Sequence, residues 1–309
     1  MRILIKFPFK EEHIKRILNT RKDIEIVNSI EDAEVIVCWH LEREEFLMAK
    51  NLKWIQAGGA GIDNFLYPEL VNSDVILTNA SGVHPKPIAE HTFALILSFT
   101  RNIHKSIKNQ MERKWERENL EDCDELTGKT MGIIGYGKIG QEIGRIAKCF
   151  GMRVLGLKRN LEKKNLDVIP DKLLTYNELD ELLKESDIIV ISAPLTEETR
   201  ELIKERELSL MKNTAIIVNI GRGQIIKESA LIKALEENRI KGALLDVTYE
   251  EPLPKESPLW NFPSVIITPH IAGVTPFYMD RLLEIFLKNL NAYPDISKMV
   301  NVVDKRLGY

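Results

Sequence analysis

The sequence predicts an α/β protein made of two doubly wound parallel-sheet domains. Short apolar strands alternate with helical stretches along the chain, the pattern of parallel sheets covered on both faces. The alternation comes in two blocks, joined by a densely charged helical segment over 101–117 that suits a linker. At 309 residues the chain is long enough for two cores.

The first block reads in order as follows. Arg2 to Lys6 is a strand, and Glu11 to Leu18 a helix with Ile14, Ile17 and Leu18 on one face. Strands follow at Ile24 to Val27, Glu34 to Cys38, Lys53 to Gln56 and Val75 to Thr78. The loop Ala57-Gly58-Gly59-Ala60-Gly61 ends one of these strands. Three glycines in five residues can present successive backbone N–H groups to a small anion; a plain tight turn is the alternative. Asn79-Ala80-Ser81-Gly82 ends another strand, and Pro87 suits the first turn of a helix running through Leu97.

The second block opens on Met131 to Ile134, an apolar strand that runs into Gly135, Gly137 and Gly140. A helix then runs to about Phe150, and Arg153 to Leu157 is the next strand. This strand–glycine turn–helix–strand unit is the context in which G-x-G-x-x-G marks a dinucleotide site. The helix N-terminus offers N–H groups and a positive dipole end to a pyrophosphate. An acid at the end of the second strand would grip a ribose 2′-hydroxyl. Lys158, Arg159 and Asn160 stand there instead and suit a 2′-phosphate, so NADP(H) is favoured over NAD(H).

Later strands are expected at Asp187 to Ser192, Ala215 to Asn219, Ala243 to Asp246 and Val265 to Thr268, with a helix over Lys227 to Glu237. Their ends carry Ala193-Pro194, Gly221-Arg222-Gly223, Asp246 and His270, and ligands of such sheets bind at carboxyl ends of strands. An amphipathic stretch, Met279 to Leu290, is expected to return to the first domain. The expected division is residues 1–98 with 276–309 as a substrate domain and 99–275 as a dinucleotide domain.

Composition narrows the function. A net charge of −3 gives no broad electrostatic attraction to nucleic acid. Cys38, Cys123 and Cys149 match no metal spacing and read as small buried hydrophobes; no metal is expected. No secretory or membrane segment is evident, so a cytoplasmic protein is expected.

Arg222, Glu251 and His270 each follow a strand and together supply what ketone reduction by a nicotinamide needs. His270 can give or take a proton near neutral pH, and a neighbouring Glu251 would favour its charged form. Arg222 can hold a carboxylate through its planar fork. Spacing alone does not show that the three meet; a solvated turn arginine, a loop acid and a backbone-bonded histidine are the alternatives. His13 and His104 fall in charged helical segments and read as solvated, His84 and His91 as structural. His40 is a candidate for touching substrate.

With these motifs in this order, the chain resembles the D-isomer-specific 2-hydroxyacid dehydrogenase family, and the resemblance spans nearly its whole length. It rests on Gly58–Asp63 (GGAGID), Asn79–Gly82, Ile88–Glu90, Gly135–Gly140 (GYGKIG), Ala193–Thr199 (APLTEET), Val218–Gly223 (VNIGRG), Leu245–Pro252 (LDVTYEEP), Ser257–Trp260 (SPLW) and Thr268–Gly273 (TPHIAG). It implies a Rossmann dinucleotide-binding domain inserted into a flavodoxin-like substrate domain. It implies a small-molecule reductase interconverting 2-keto acids such as glyoxylate or hydroxypyruvate with D-2-hydroxy acids, His270 and Glu251 acting as a proton-donating pair.

The resemblance assigns substrate binding to Gly59, Ala60, Gly61, Arg222 and His270. It assigns dinucleotide contacts to Gly135, Tyr136, Gly137, Lys138, Ile139, Gly140, Pro194, Thr199, Ile220, Gly221, Arg222, Asp246, His270 and Gly273. A homodimer paired through the dinucleotide domain is also implied. Two alternatives stay open: a dinucleotide-sensing protein like the corepressors built on this fold, and a phosphoglycerate-type dehydrogenase. The second would call for extra cations near the 57–63 loop, which has none, and the regulatory C-terminal domain of many phosphoglycerate dehydrogenases is not seen.

Overall fold

Hydrogen bonding pairs the strands into two separate parallel sheets. The computed structural model describes residues 1–117, 122–159 and 166–307. The chain divides into two units, Met1–His84 with Thr275–Tyr309, and Pro85–Val274. The first expected boundary, at 98, therefore lies earlier. Helix Pro85–Thr100 carries Ile88, Phe93 and Ile96 into one core with Ile143, Ala147 and Val154 of the second unit, which fixes it there.

The first unit holds β1 (Arg2–Lys6), β2 (Glu25–Val27), β3 (Val35–Cys38), β4 (Trp54–Ala57) and β5 (Ile76–Thr78). They run parallel in the order β2-β1-β3-β4-β5, the flavodoxin-like winding. Alternate residues go to opposite faces, as a strand's period of two requires. Ile3, Val35, Val37 and Trp54 pack with α1 (Glu11–Thr20) and with the C-terminal helix Tyr278–Ala292. Leu4, Ile36, Ile55 and Leu77 face the other way, where α2 (Arg43–Met48) and α3 (Pro68–Val71) lie.

In the second unit, α4 (Pro85–Thr100) and α5 (Ile103–Met111) precede β6 (Thr130–Ile134), α6 (Lys138–Cys149) and β7 (Arg153–Leu157). Then come β8 (Lys172–Leu174), α7 (Leu179–Glu185), β9 (Ile188–Ile191), α8 (Glu205–Leu210), β10 (Ile216–Asn219), α9 (Glu228–Glu236), β11 (Gly242–Leu245) and β12 (Val265–Ile267). The order β12-β11-β10-β9-β6-β7-β8 is the Rossmann winding with a seventh strand at one edge. Its switch point lies between β6 and β9, directly above the glycine turn. The C-terminal helix of the first unit is α10 (Tyr278–Ala292).

The sequence reading gave no bounds for β8, α2, α3, α7 and α8, all short elements with too few residues to show a period. It also misplaced several side chains. His13 is buried and its Nε2 pairs with Asp280 at 3.1 Å. His104 stacks on Phe99, and its Nδ1–H donates to Ser98 O at 2.9 Å. Cys38 is buried as expected, but Cys123 and Cys149 are exposed. Among the described residues no helix is long and apolar enough to cross a membrane, and no group of His, Cys, Asp and Glu could hold a metal.

Tyr136, inside the glycine turn, points into the core rather than toward a ligand. Its side chain is fully buried among Ile133, Ile143 and Val154, and among the described residues its hydroxyl has no hydrogen-bond partner. A buried hydroxyl left unsatisfied costs about 1–3 kcal/mol. Tyr136→Phe removes only that group, so the variant is expected to be at least as stable as the parent, by up to about 1 kcal/mol. Thermal melts check it; a clear loss of Tm would show that the hydroxyl has a partner.

Candidate active site

The site is built at the carboxyl ends of the second sheet. Gly135 leaves β6 at φ +93°, a left-handed conformation that glycine adopts freely. A Cβ there would stand 2.5 Å from Ala193 N, so the turn and the β9 end lie in direct contact. Gly137 caps α6, and a Cβ on it would meet nothing within 4 Å. Open space thus faces the helix start. The first intrahelical bond runs from Gln141 N–H to Gly137 O at 2.8 Å, so the Ile139 and Gly140 amides have no acceptor within the helix. A pyrophosphate fits this cradle in charge and in room.

Tyr136 is a correction to the expected contacts. Its N–H donates to Leu157 O at 2.8 Å and its side chain is core, so it has no donor to offer a phosphate. Lys158 and Arg159 follow β7 directly, where a ribose is expected. Asn160 lies outside the described residues. Pro194 is exposed, whereas Thr199 is buried and its hydroxyl donates to Pro194 O at 2.7 Å. Ile220 is buried with its N–H on Ile191 O, and Gly221 N–H donates to Asn219 Oδ1. Gly273 is partly exposed beyond β12.

Arg222 follows β10 in extended conformation, and its Nη1–H donates to Gly221 O at 2.8 Å. Asn219 Nδ2–H donates to Arg222 O at 2.9 Å, which fixes the backbone from below. Beside it, a Cβ on Gly223 would lie 1.8 Å from Thr248 O. Only glycine lets the arginine loop and the loop after β11 approach this closely. That second loop carries Glu251, whose Oε1 accepts from Thr248 N–H at 3.3 Å and whose Oε2 meets His270 Nδ1 at 2.7 Å. The structure thus joins the predicted histidine and glutamate. His270 is half exposed, with its Nε2 edge away from the carboxylate.

His270 itself sits at φ +54°, uncommon and strained for a side chain with a Cβ. Asp246 holds it there. His270 N–H donates to Asp246 O at 2.8 Å, while the Asp246 carboxylate accepts from Thr268 Oγ1 (2.6 Å), Ile271 N–H (3.0 Å) and Ala272 N–H (2.9 Å). Behind this, His91 Nε2 on α4 lies 2.9 Å from Thr268 Oγ1 and 3.4 Å from Asp246 Oδ1. Asp246 is 2% exposed. Burial would raise its carboxyl, but the bonds from His91, Thr268 and the two amides prevail and bring it down to about 2. Asp246 was expected to touch the dinucleotide; its carboxylate oxygens are engaged inside the protein. His91, read as structural, belongs to this network, and only the fold shows that α4 meets β11 there.

In the first unit the Gly59–Gly61 loop is partly exposed after β4. Two of its carbonyls are taken: Ala80 N–H donates to Gly59 O and Asn79 Nδ2–H to Ala60 O, both at 2.9 Å. Among the described residues no acceptor sits on the N–H groups of Gly59, Ala60 or Gly61. The loop is therefore a donor array, as an anion site requires. His40, nearby, is held by Glu42 at 2.7 Å and by Asn64 Nδ2–H on its Nδ1 at 3.0 Å. His84 is mostly buried, which lowers its pKa to about 4.

Known proteins resemble this chain throughout. Residues 93–272 match the family model described as D-isomer specific 2-hydroxyacid dehydrogenase, NAD binding domain. A glyoxylate reductase from Pyrococcus furiosus is 36% identical over 285 residues, covering 90% of this chain and 84% of that protein. An acyclic imino acid reductase solved with NADPH and D-Arg superimposes with a TM-score of 0.83 at 27% identity, covering 98% of this chain and 100% of that one. A D-lactate dehydrogenase from Aquifex aeolicus, solved with NAD and lactic acid, gives 0.77 at 26%, covering 98% and 99%.

Asp246 makes a linked prediction. Its folded pKa lies below the ordinary 3.8, so its contribution is full above about pH 4 and is lost as pH falls toward 2. Asp246→Asn leaves one acceptor oxygen for three donors. We expect a loss of roughly 2 kcal/mol of stability and at least a tenfold drop in turnover at neutral pH. Melting curves and kcat check this; parental values for both would show that the clamp is dispensable.

Proposed function

The chain belongs to the D-isomer specific 2-hydroxyacid dehydrogenase family, an NAD(P)-dependent oxidoreductase working between 2-keto and 2-hydroxy acids, and we propose that it reduces glyoxylate, hydroxypyruvate or a similar small 2-keto acid to the D-2-hydroxy acid. The observation that carries the proposal is the 2.7 Å contact between His270 Nδ1 and Glu251 Oε2, with Glu251 on the loop that Gly223 lets approach Arg222.

The bound dinucleotide supplies the hydride. Its pyrophosphate would rest on the α6 start, held by amides of Ile139 and Gly140 with Lys138 alongside. Lys158 and Arg159 favour the 2′-phosphate of NADP(H), with NAD(H) as a second cofactor. Glu251 fixes the imidazole by accepting from Nδ1–H, which directs Nε2–H outward. In reduction, that proton goes to the keto oxygen as the carbon is reduced, leaving neutral His270 to regain a proton from solvent. Arg222, steadied through Gly221 O, takes the substrate carboxylate and polarises the carbonyl. The amide array at Gly59–Gly61, in the first unit, is by itself suited to a carboxylate. The relatives' reductase names do not favour the dinucleotide-sensing alternative.

A homodimer is part of this proposal. Ile103, Ile107 and Met111 are exposed at spacings of four along α5, and Trp115, beyond the helix end, is open to solvent. Sedimentation of the full chain is expected to give a species near twice the 35.4 kDa chain mass. A strictly monomeric chain at micromolar concentration would remove the dimer.

Activity is tested with a keto acid panel run with both cofactors. We expect turnover of at least one small 2-keto acid. His270→Ala is expected to lose most of that turnover, by 10²- to 10⁴-fold, while dinucleotide binding survives. Near-parental kcat in that variant overturns the proton-donor role; tight dinucleotide binding with no turnover of any keto acid overturns the substrate assignment.

A further inference from the structure

The basic end of β7 has a neighbour of opposite charge that the cofactor reading leaves unused. Arg159 Nε–H and Nη2–H both reach Oε2 of Glu198, at 2.8 and 2.5 Å. Glu198 stands in the turn after β9, and that turn is fixed from inside. Thr196 N–H donates to Thr199 Oγ1 at 2.8 Å, Thr199 Oγ1–H to Pro194 O at 2.7 Å, and Arg200 N–H to Thr196 O at 2.9 Å. Thr199 is buried while the Glu198 side chain is 61% exposed. A rigid turn therefore presents a carboxylate to the arginine that faces the expected ribose.

From this geometry we propose that Glu198 sets the choice between the two dinucleotides. It competes with the 2′-phosphate of NADP(H) for the Arg159 guanidinium, and it offers an acceptor to the 2′-hydroxyl of NAD(H). The proposal rests on the reading of Lys158 and Arg159 as the 2′-phosphate site. In sheets of this winding an acid at the end of the second strand takes the ribose hydroxyl, and an arginine nearby takes a phosphate. Here the strand end is basic and the acid arrives from the neighbouring turn.

A carboxylate and a phosphate are both acceptors only, so they cannot share the same two N–H donors without repulsion. Binding the phosphate through this Nε and Nη2 edge requires Arg159 to leave Glu198. An ion pair this exposed is worth at most about 1 kcal/mol, so the phosphate can displace it. The same energy nevertheless changes an affinity ratio by up to roughly fivefold.

The test is titration calorimetry of the full chain with NADPH, NADH and adenosine 2′,5′-bisphosphate, for the parent, Glu198→Gln and Arg159→Gln. Melting curves confirm that the variants fold. Glu198→Gln is expected to tighten NADPH and the bisphosphate roughly two- to fivefold while NADH stays level or weakens. Equal shifts for NADPH and NADH, or none, overturn the proposal. Arg159→Gln separates it from the reading beneath. If that variant binds NADPH as the parent does, the phosphate site itself is wrong and the inference falls with it. If it weakens NADPH while Glu198→Gln changes nothing, the phosphate site stands and only the role of Glu198 is lost.

Discussion

The Asp246 carboxylate is the constraint on which the proposed catalytic loop depends. His270 occupies a left-handed backbone conformation that costs of order 1–2 kcal/mol for a residue with a Cβ. The imidazole contributes its bond to Glu251, and the backbone around it is held separately. The offset comes from four hydrogen bonds between the 268–272 segment and Asp246, one to its carbonyl and three to its carboxylate. A carboxylate is the only side chain that accepts this many donors and stays anionic in a buried place, and its low pKa expresses how strongly the loop favours the charged form. Strain at the histidine and satisfaction at the aspartate are two sides of one arrangement.

Close approach of backbones does the rest. Gly223 lets the Arg222 loop touch Thr248, and Glu251 comes three residues later, so one missing Cβ sets the spacing between two functional loops. Gly135 does the same between the glycine turn and Ala193. A methyl group at either position would have to displace backbone, which neither parallel sheet nor neighbouring loop can yield cheaply. These glycines act through what they permit their neighbours to do.

Much of this was legible in the sequence, for identifiable reasons. Buried parallel strands are near-continuous apolar runs, so β1, β3, β6, β9 and β10 announced themselves. The glycine turn and the polar strand ends fixed where a ligand should meet the second sheet, and His270 with Glu251 emerged from them. What stayed hidden depends on contacts distant in sequence. His91 lies 155 positions before Asp246, and no local pattern says that α4 meets β11. The burial of Tyr136 was hidden because a motif names positions, not side-chain directions. The lead of α4 into the second unit was equally invisible: an amphipathic helix shows which face is apolar, but not which sheet receives it.

The amide loop of the first unit explains why its sequence comes from both ends of the chain. Gly58 lies against Phe7 and Trp39, where a Cβ would stand 2.1 Å from the Phe7 ring and 3.0 Å from the indole. Tyr278 completes this aromatic cradle, stacking on Trp39 at 4.8 Å and donating its hydroxyl to Gly58 O. Tyr278 opens α10, whose Leu282, Leu283 and Phe286 are fully buried against the face that carries Ile3, Val35 and Trp54. Residues before His84 alone would leave that face short of a covering helix and the Gly58 carbonyl short of a donor. The loop's N–H array can face outward only because its opposite side is packed and satisfied from within. Inserting the dinucleotide unit between β5 and α10, rather than appending it, leaves the amide loop anchored by the first and last segments of its own domain.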